Sequence, residues 1–425
     1  MLYVGSDVAR LRRVIIHRPG VALEHMLPHH IEPSSPGYLL FDDLVHVPQA
    51  QKEHDQLRKV LSTTAEVGDL ADMFSEVLSS AEARKALLSA LQRIEDLSAA
   101  TIRRLGGLEP PDLVRAVTAG VMPGKLPESA DDLLLPPLPN LIFTRDLAAV
   151  MGPLLVVGNA SKRARRRESL LTWALVEYHP WFKGAEVSQT SRSVRQGDGT
   201  FPKTVEGGDV LVVSDSLAVI GASERTSWSM ITTLAHELVD HGFTRVLVVE
   251  MAKQRSSMHL DTVFTLVDTD TAVVYRPLLE PGGREQVHVT KLSKSADGIS
   301  VEAMPGNFLE ALAAEGHPIK PIFCGNGHHI HERREQWTDG SNYVAMSPGV
   351  GIGYARNERT AAAMSEAGFR VLKAEAFLQE FRRDFREDYD KLVESGRRYA
   401  IQITGPELCR GRGGPRCLTL PLKRG

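Results

Sequence analysis

Cysteine is scarce in this chain of 425 residues: only Cys324, Cys409 and Cys417 are present. That number is small and odd, which excludes a disulfide framework. It points to a reducing compartment, so a cytoplasmic protein is expected. Long apolar runs are missing too. No window reaches the roughly 20 residues needed to cross a bilayer, and the N-terminal MLYVGSDVARLRR has no apolar signal region. A surplus of charge is likewise absent. Fifty Lys and Arg stand against 53 Asp and Glu, net −3, so no global field favours nucleic acid or an acidic membrane. What remains is an ordinary globular composition, in a chain long enough for a large core and more than one domain.

Short apolar runs are plentiful, and they come in a recurring order. Val210 to Val213 and Leu217 to Ile220 flank Ser214-Asp215-Ser216, a hairpin signal. A helical pattern follows, with Ile231, Leu234, Ala235 and Leu238 on one face and Gly242 as its C-terminal cap; then comes a strand, Val246 to Val249. The same grammar recurs at Tyr343 to Met346 and Val350 to Tyr354, with a helix ending at Gly368 and a strand beginning near Phe369. A third copy runs from Val263 through Tyr275 to a helix at Phe308 to Ala314 and a strand at Ile319 to Phe323. A fourth begins with Ala148 to Met151 and Leu154 to Val157, with a helix near Ser169 to Val176. Val14 to Ile16, closed by His17-Arg18-Pro19-Gly20, and the helix after Gln49 make a degenerate fifth.

Units that cannot bury their own faces must close on one another. The expected fold is α/β: a five-fold pseudo-symmetric α/β propeller of ββαβ units spanning 1–425, with an ordinary mixed sheet as the rival. The stretch 66–124 breaks the grammar. Leu70, Met73, Phe74, Val77 and Leu78 follow helical spacing, as do Leu87, Leu88, Leu91 and Ile94. Ser79 and Glu82 fit a capping box, and Gly106-Gly107 and Pro110-Pro111 punctuate the run. It reads as a helical subdomain inserted after the first unit, with almost no strand.

Residues that could do chemistry lie at the ends of these units. Gly411 to Pro421, GRGGPRCLTLP, sets Cys417 among glycines that permit close backbone approach. Arg412 and Arg416 are expected to favour its thiolate; the bland alternative is a flexible basic tail. Asn140 to Asp146, Glu206-Gly207-Gly208-Asp209 and His259-Leu260-Asp261 each precede an apolar run. Singly each is weak: EGGD is more often a glycine turn with a solvated Glu, and His-x-Asp could be a surface pair. Cys324 with His328, His329 and His331 matches no zinc spacing, so no metal is expected. Lys162 to Arg167, KRARRR, lacks interleaved aromatics and reads as a solvated helix face, not a nucleic-acid site.

Taken together and in order, LRRVIIHRPG, LLFDDL, LPNLIFTRD, VEGGDV, IGASERTS, MHLDTVFT, EQWTDGSN and GRGGPRCLTLPL resemble the arginine deiminases of the guanidine-modifying superfamily over nearly the whole chain. Leu147 stands where that family often has proline, and CGNGHHIHERREQW is unusually rich in histidine; neither departure touches a site position. The resemblance implies a propeller with extra helices after its first unit. It implies hydrolysis of free L-arginine to L-citrulline and ammonia, the first step of arginine degradation, with no cofactor. It implies Cys417 as nucleophile and His259 as general acid and base. Asp146 and Asp261 would grip the guanidinium, with Glu206 beside them. Asn140, Arg225 and Arg412 would meet the α-carboxylate and amino end, joined by an arginine of ARRRE, Arg165 in preference to its rival Arg167.

The chemistry of that set is coherent. A guanidinium stays protonated, and carboxylates that pair with it offset its burial. They leave its carbon open to a thiolate, with His259 moving the protons. The partners implied are L-arginine and further copies of the chain in a homo-oligomer, with no nucleic acid and no membrane. An amidinotransferase or a dimethylarginine hydrolase would use a similar set; the helical insertion, EQWTDGSN and GRGGPRC favour the deiminase. A catalytically silent binding protein is disfavoured by the intact Cys417, His259, Asp146, Glu206 and Asp261.

Overall fold

The paired apolar runs form antiparallel hairpins, and in most cases a helix then carries the chain to a parallel third strand. The computed structural model describes residues 1–120, 133–196, 203–283, 285–296 and 298–425, and within them five sheets form. Val210–Ser214 pairs antiparallel with Leu217–Ala222, which pairs in parallel with Arg245–Glu250 after the helix Trp228–Asp240. The hydroxyl of Ser227 accepts from the Met230 amide and caps that helix. Gly242 follows its end at φ 100°, where a side chain would be strained, in keeping with the expected cap.

The other units repeat this with variations. Ala148–Met151, Leu154–Val157 and a two-residue strand Glu186–Val187 surround the helix Arg166–Tyr178. Phe264–Asp268, Thr271–Val274 and Lys320–Phe323 do the same with the helix Phe308–Ala314. Val344–Ser347 and Val350–Tyr354 precede the helix Glu358–Glu366.

Three features depart from the sequence reading. Between Thr271–Val274 and Phe308–Ala314 lies a second hairpin, His288–Ser295 and Gly298–Met304, which leaves its own unit and extends the neighbouring sheet beyond Arg245–Glu250. Tyr399–Ile403 inserts between Val350–Tyr354 and Arg370–Lys373. The degenerate unit owes its incompleteness to the chain ends: Leu11–Ile16 pairs antiparallel with Leu420–Arg424 and parallel with Glu66–Asp69. A hairpin partner more than 400 residues away leaves no local signal.

Glu66–Asp69 is thus a strand, and the helices begin after it. They span Leu70–Leu78, Ala81–Glu95, Ala99–Gly106 and Pro110–Ala119; the expected end of this stretch at 124 lies outside the described residues. The cap of the second helix is Ser80, accepting from the Ala83 amide, not Ser79. Ser79 is already committed to ending the previous helix, so the next begins one residue later. Met73, Phe74, Leu87 and Leu91 share one apolar cluster with Val150, Leu155 and Ile220 of the sheets. Burying such side chains is worth about 1.5–3 kcal/mol each, so these helices are fastened to the α/β body by a common core. Among the described residues no helix is long and apolar enough to cross a membrane.

Candidate active site

The site is built from the short turns that lead into the strands. Asp146 lies in the turn Thr144–Leu147, just before Ala148–Met151. Glu206 precedes the turn Gly207–Asp209 and the strand Val210–Ser214. His259 precedes the turn Leu260–Thr262, which contains Asp261 and leads to Phe264–Asp268. Cys417 comes just before Leu420–Arg424. The EGGD glycines are required by packing. A Cβ on Gly207 would lie 2.1 Å from the Arg145 carbonyl oxygen, and one on Gly208 would lie 2.8 Å from the His259 ring. Asp209 ties two turns together by accepting from the Leu260 amide at 2.9 Å and the Ser223 hydroxyl at 2.6 Å.

These turns bring the buried groups together. Glu206 Oε2 bonds His259 Nε2 at 2.9 Å and accepts from Arg165 Nη1 at 3.0 Å. Arg165 also donates from Nη1 to Asp146 Oδ2 at 2.7 Å and from Nε to Glu168 Oε2 at 2.8 Å. Asp146 Oδ1 lies 3.9 Å from His259 Nδ1 and has no hydrogen-bond partner among the described residues. Cys417 Sγ lies 3.6 and 3.8 Å from the two Asp261 oxygens. Asn342 fixes this pair: its Oδ1 accepts from the Arg416 and Cys417 amides, and its Nδ2 donates to the Asp261 carbonyl.

Asn140, Asp146, Arg165, Arg225, His259, Arg412 and Cys417 line one small cavity of about 20 Å³ with Leu40, Phe143, Arg255, Met258 and Gly411. Glu206 and Asp261 stand directly behind its walls, bonded to His259 and beside Cys417. Leu40 (φ 67°) and Arg412 (φ 63°) hold left-handed backbone conformations in that wall, which cost an L side chain roughly 1–2 kcal/mol each.

Electrostatics separates the two central groups. Burial favours the neutral His259 ring, but Asp146, the Glu206 hydrogen bond and Asp209 outweigh it and raise the imidazole to about 9. Burial would also raise Glu206, yet Arg165, Arg225 and His259 hold it well below the usual range. The Cys417 thiol is pushed well above its ordinary value by burial and then by Asp261, Asp146 and Asp339. The expected help from Arg412 and Arg416 therefore does not prevail: Arg412 and Cys417 do attract each other, but burial and the three acids outweigh it. Arg416 turns its guanidinium to Asp7 and Asp261, and Arg412 stacks on Trp337 at 3.7 Å and donates to the Trp337 carbonyl.

Other expectations fare unequally. Asn140 donates to the Leu39 carbonyl at 2.7 Å, and Arg225 reaches Glu206 at 3.4 Å. Arg165 lines the cavity, but its Nε and Nη1 are committed to carboxylates, leaving Nη2 as the nitrogen with no protein partner among the described residues. Its rival Arg167 points elsewhere, to Glu95 and the Pro136 carbonyl. Both are buried, so the reading of Lys162 to Arg167 as a solvated face holds only for part of the run: Arg163 and Arg166 are exposed, while the acids around Arg165 and the helical stretch beside Arg167 account for the burial of the other two.

Sequence reading missed Glu168, Arg255, Asn342 and Asp209. Asp209 and Asn342 do lie within the EGGD and EQWTDGSN motifs, where no role was read for them, and Glu168 offered its i,i+3 spacing from Arg165. Asp146, Glu206 and His259 are the only group of three ligand-type residues close enough to share a metal ion among the described residues. Arg165 already neutralises two of them and His259 is held protonated, so a divalent ion would have to displace a guanidinium and a proton.

Comparison with known proteins gives a consistent result. A family model described as arginine deiminase matches residues 37–104 and 96–424. The arginine deiminase of Mycobacterium avium (strain 104) is 35% identical over 453 residues, covering 100% of this chain and 98% of that one. The arginine deiminase of Rhodococcus erythropolis is 35% identical over 452 residues, with 100% and 97% covered. An amidinotransferase of the saxitoxin biosynthetic pathway from Microseira wollei has a similar fold, with a TM-score of 0.50, 13% identity, and 100% and 97% of the two chains covered. Matched along its length by the family model and by relatives a third identical, the chain is an enzyme of the arginine deiminase family.

Proposed function

We propose that the chain hydrolyses the guanidinium of free L-arginine to L-citrulline and ammonia through a covalent intermediate on Cys417, as the first step of arginine degradation. One observation carries this reading. Asp146 and Asp261 each give one oxygen to an internal arginine, Arg165 or Arg416; the second oxygen has no partner among the described residues in Asp146 and only the Cys417 sulfur, at 3.8 Å, in Asp261.

A substrate guanidinium would take the two remaining oxygens and lie flat between the carboxylates. Its charge offsets the acids that hold the thiol up, and so favours the thiolate. The thiol proton leaves to solvent as the cation binds. Sulfur adds to the guanidinium carbon, and His259 gives its proton to a terminal nitrogen. The C–N bond breaks, ammonia leaves, and a thiouronium remains on Cys417. Neutral His259 then takes a proton from water, and hydroxide adds to the same carbon. The C–S bond breaks and the added hydroxyl gives its proton to solvent, leaving L-citrulline and the thiolate. Glu206 orients His259 and keeps it protonated for the first step. Arg225, Arg412, Asn140 and the remaining Nη2 of Arg165 serve the α-carboxylate and amino end, with Arg255 adding charge. The cavity, about 20 Å³, accommodates about one water, so its wall opens as arginine binds.

Incubation with L-arginine and product analysis tests the reading. Citrulline with equimolar ammonia supports it, whereas ornithine with a transferred amidino group points to an amidinotransferase. Cys417→Ser should abolish turnover while Cys324→Ser and Cys409→Ser keep most of it. A C417S protein that makes citrulline at a comparable rate has a different nucleophile.

We further infer that the five sheets are the blades of a pseudo-symmetric α/β propeller over 1–425, with the helical stretch that begins at Leu70 inserted after its first unit. The pairing of both chain ends in one sheet supports a ring. Three unpaired thiols support a cytoplasmic setting. Light scattering on the purified protein measures the homo-oligomer that accompanies this reading.

A further inference from the structure

A carboxylate can orient a guanidinium only if it is itself held. Asp146 is held by Arg165. On the other side of the cavity Asp261 is held by Arg416, the residue directly before Cys417. Arg416 is buried and donates from Nη1 to Asp261 Oδ2 at 2.8 Å. From Nη2 it donates to Asp7 Oδ2 and to the Val210 carbonyl, both at 2.7 Å. Asp7 comes from the opposite end of the chain, ahead of the first strand, and is buried as well.

Resting on the arginine-hydrolysing reading above, we propose that Arg416, anchored by Asp7, is a positioning residue for the reaction: it fixes the carboxylate of Asp261 beside the Cys417 sulfur and supplies its counter-charge. The planar fork matters, because two of its nitrogens reach two carboxylates at once; a lysine offers one point charge. The bond uses Oδ2 and leaves Oδ1 for the substrate, mirroring Arg165 on Asp146. The geometry also answers a conflict within the site. Asp261 faces the sulfur at 3.6 Å through Oδ2 and opposes the thiolate, and the Arg416 guanidinium on that same oxygen offsets the repulsion. The charged groups around Arg416 are Asp7, Asp261, Arg145 and Arg424, and Asp339 and Cys417 interact with Asp261. Burial would raise Asp7, but Arg416, Arg145 and Arg424 hold it below the usual range, so the anchor is an anion.

The test uses full-length protein carrying Cys324→Ser and Cys409→Ser, so that Cys417 is the only thiol. Arg416→Gln, Arg416→Lys and Asp7→Asn are compared by arginine kinetics against pH and by the alkylation rate of Cys417 with iodoacetamide at a fixed alkaline pH. Without its partner, buried Asp261 takes up a proton more readily. The acid limb of kcat/KM in Arg416→Gln should therefore move up by at least about one pH unit, with kcat falling about a hundredfold or more. Where Asp261 is charged it lacks its counter-ion, so Cys417 alkylation should slow about tenfold. Asp7→Asn should move each quantity the same way by less, and Arg416→Lys should recover part of the loss. Unchanged pH limb and alkylation in Arg416→Gln and Asp7→Asn overturn the proposal. So does activity lost only in proportion to folded protein. Should Arg416→Gln not fold, the near-isosteric Asp7→Asn decides alone. If the parent makes no citrulline, the functional reading fails by itself, and the alkylation rates still decide whether Arg416 acts on the Asp261–Cys417 pair.

Discussion

Replacing Glu206 by glutamine tests how the site keeps His259 charged. The side chain keeps its shape and loses its charge. Glu206 Oε2 serves His259 Nε2 at 2.9 Å, Arg165 at 3.0 Å and Arg225 at 3.4 Å. His259 stands at about 9 against an ordinary 6.5, which favours the imidazolium by roughly 3 kcal/mol. That balance is reached against burial, by Asp146, Asp209 and two contributions from Glu206, its hydrogen bond and its charge. Removing both should lower the imidazole by at least about one unit. In the proposed mechanism the imidazolium is the acid that releases ammonia, so rate should fall as pH rises through its pKa. The alkaline limb is expected near 9 in the parent and nearer 8 in Glu206→Gln.

Linkage has the same sign. A raised histidine adds stability that is complete below 6.5 and lost between 6.5 and about 9, and the variant should lose it over a narrower window. Citrulline initial rates across pH give the limb. An NMR titration of the His259 ring assigns it, since kinetics alone reports the coupled Cys417–His259 system. A ring pKa that stays where it was, or rises, would refute the electrostatic account.

Asp146→Asn breaks a buried pair with Arg165, a loss of roughly 3–5 kcal/mol, so kcat/KM for arginine should fall at least about a hundredfold; near-parental kinetics would put Asp146 outside the substrate clamp. Charge-assisted hydrogen bonds are worth roughly 1.5–3 kcal/mol each, so arginine should be strongly preferred over agmatine, which lacks the carboxylate. Arg412→Ala should narrow that gap, and equal kcat/KM for the two substrates in the parent protein would remove the carboxylate clamp. His54 is buried with neither ring nitrogen partnered among the described residues, and burial lowers it to about 4. The unfolded chain therefore takes up this proton first as pH falls from 6.5, and roughly 3 kcal/mol of stability is lost between 6.5 and about 4. His54→Leu should raise the urea midpoint more at mildly acidic than at neutral pH, and a gain independent of pH would contradict this.

The sequence by itself determined whatever is encoded within a few residues. Hairpins such as Val210–Ser214 with Leu217–Ala222, and the helix Trp228–Asp240 with its Ser227 cap, follow from alternation, 3.6-residue spacing and turn chemistry, all of them local. The ordered motifs likewise brought Asn140, Asp146, Arg165, Glu206, Arg225, His259, Asp261, Arg412 and Cys417 into one group, and the fold collects them in and directly behind the wall of one cavity.

Tertiary structure alone decided what depends on distant partners. It paired Leu11–Ile16 with Leu420–Arg424 and sent the strands His288–Ser295 and Gly298–Met304 to a neighbouring sheet. It turned Arg416 away from the sulfur toward Asp7 and Asp261, and committed Arg165 to three acids. A strand's backbone groups and an arginine's charge accept many partners equally well. The choice among them is made by which groups burial brings together and deprives of water, and that choice set the direction in which Cys417 and His259 titrate.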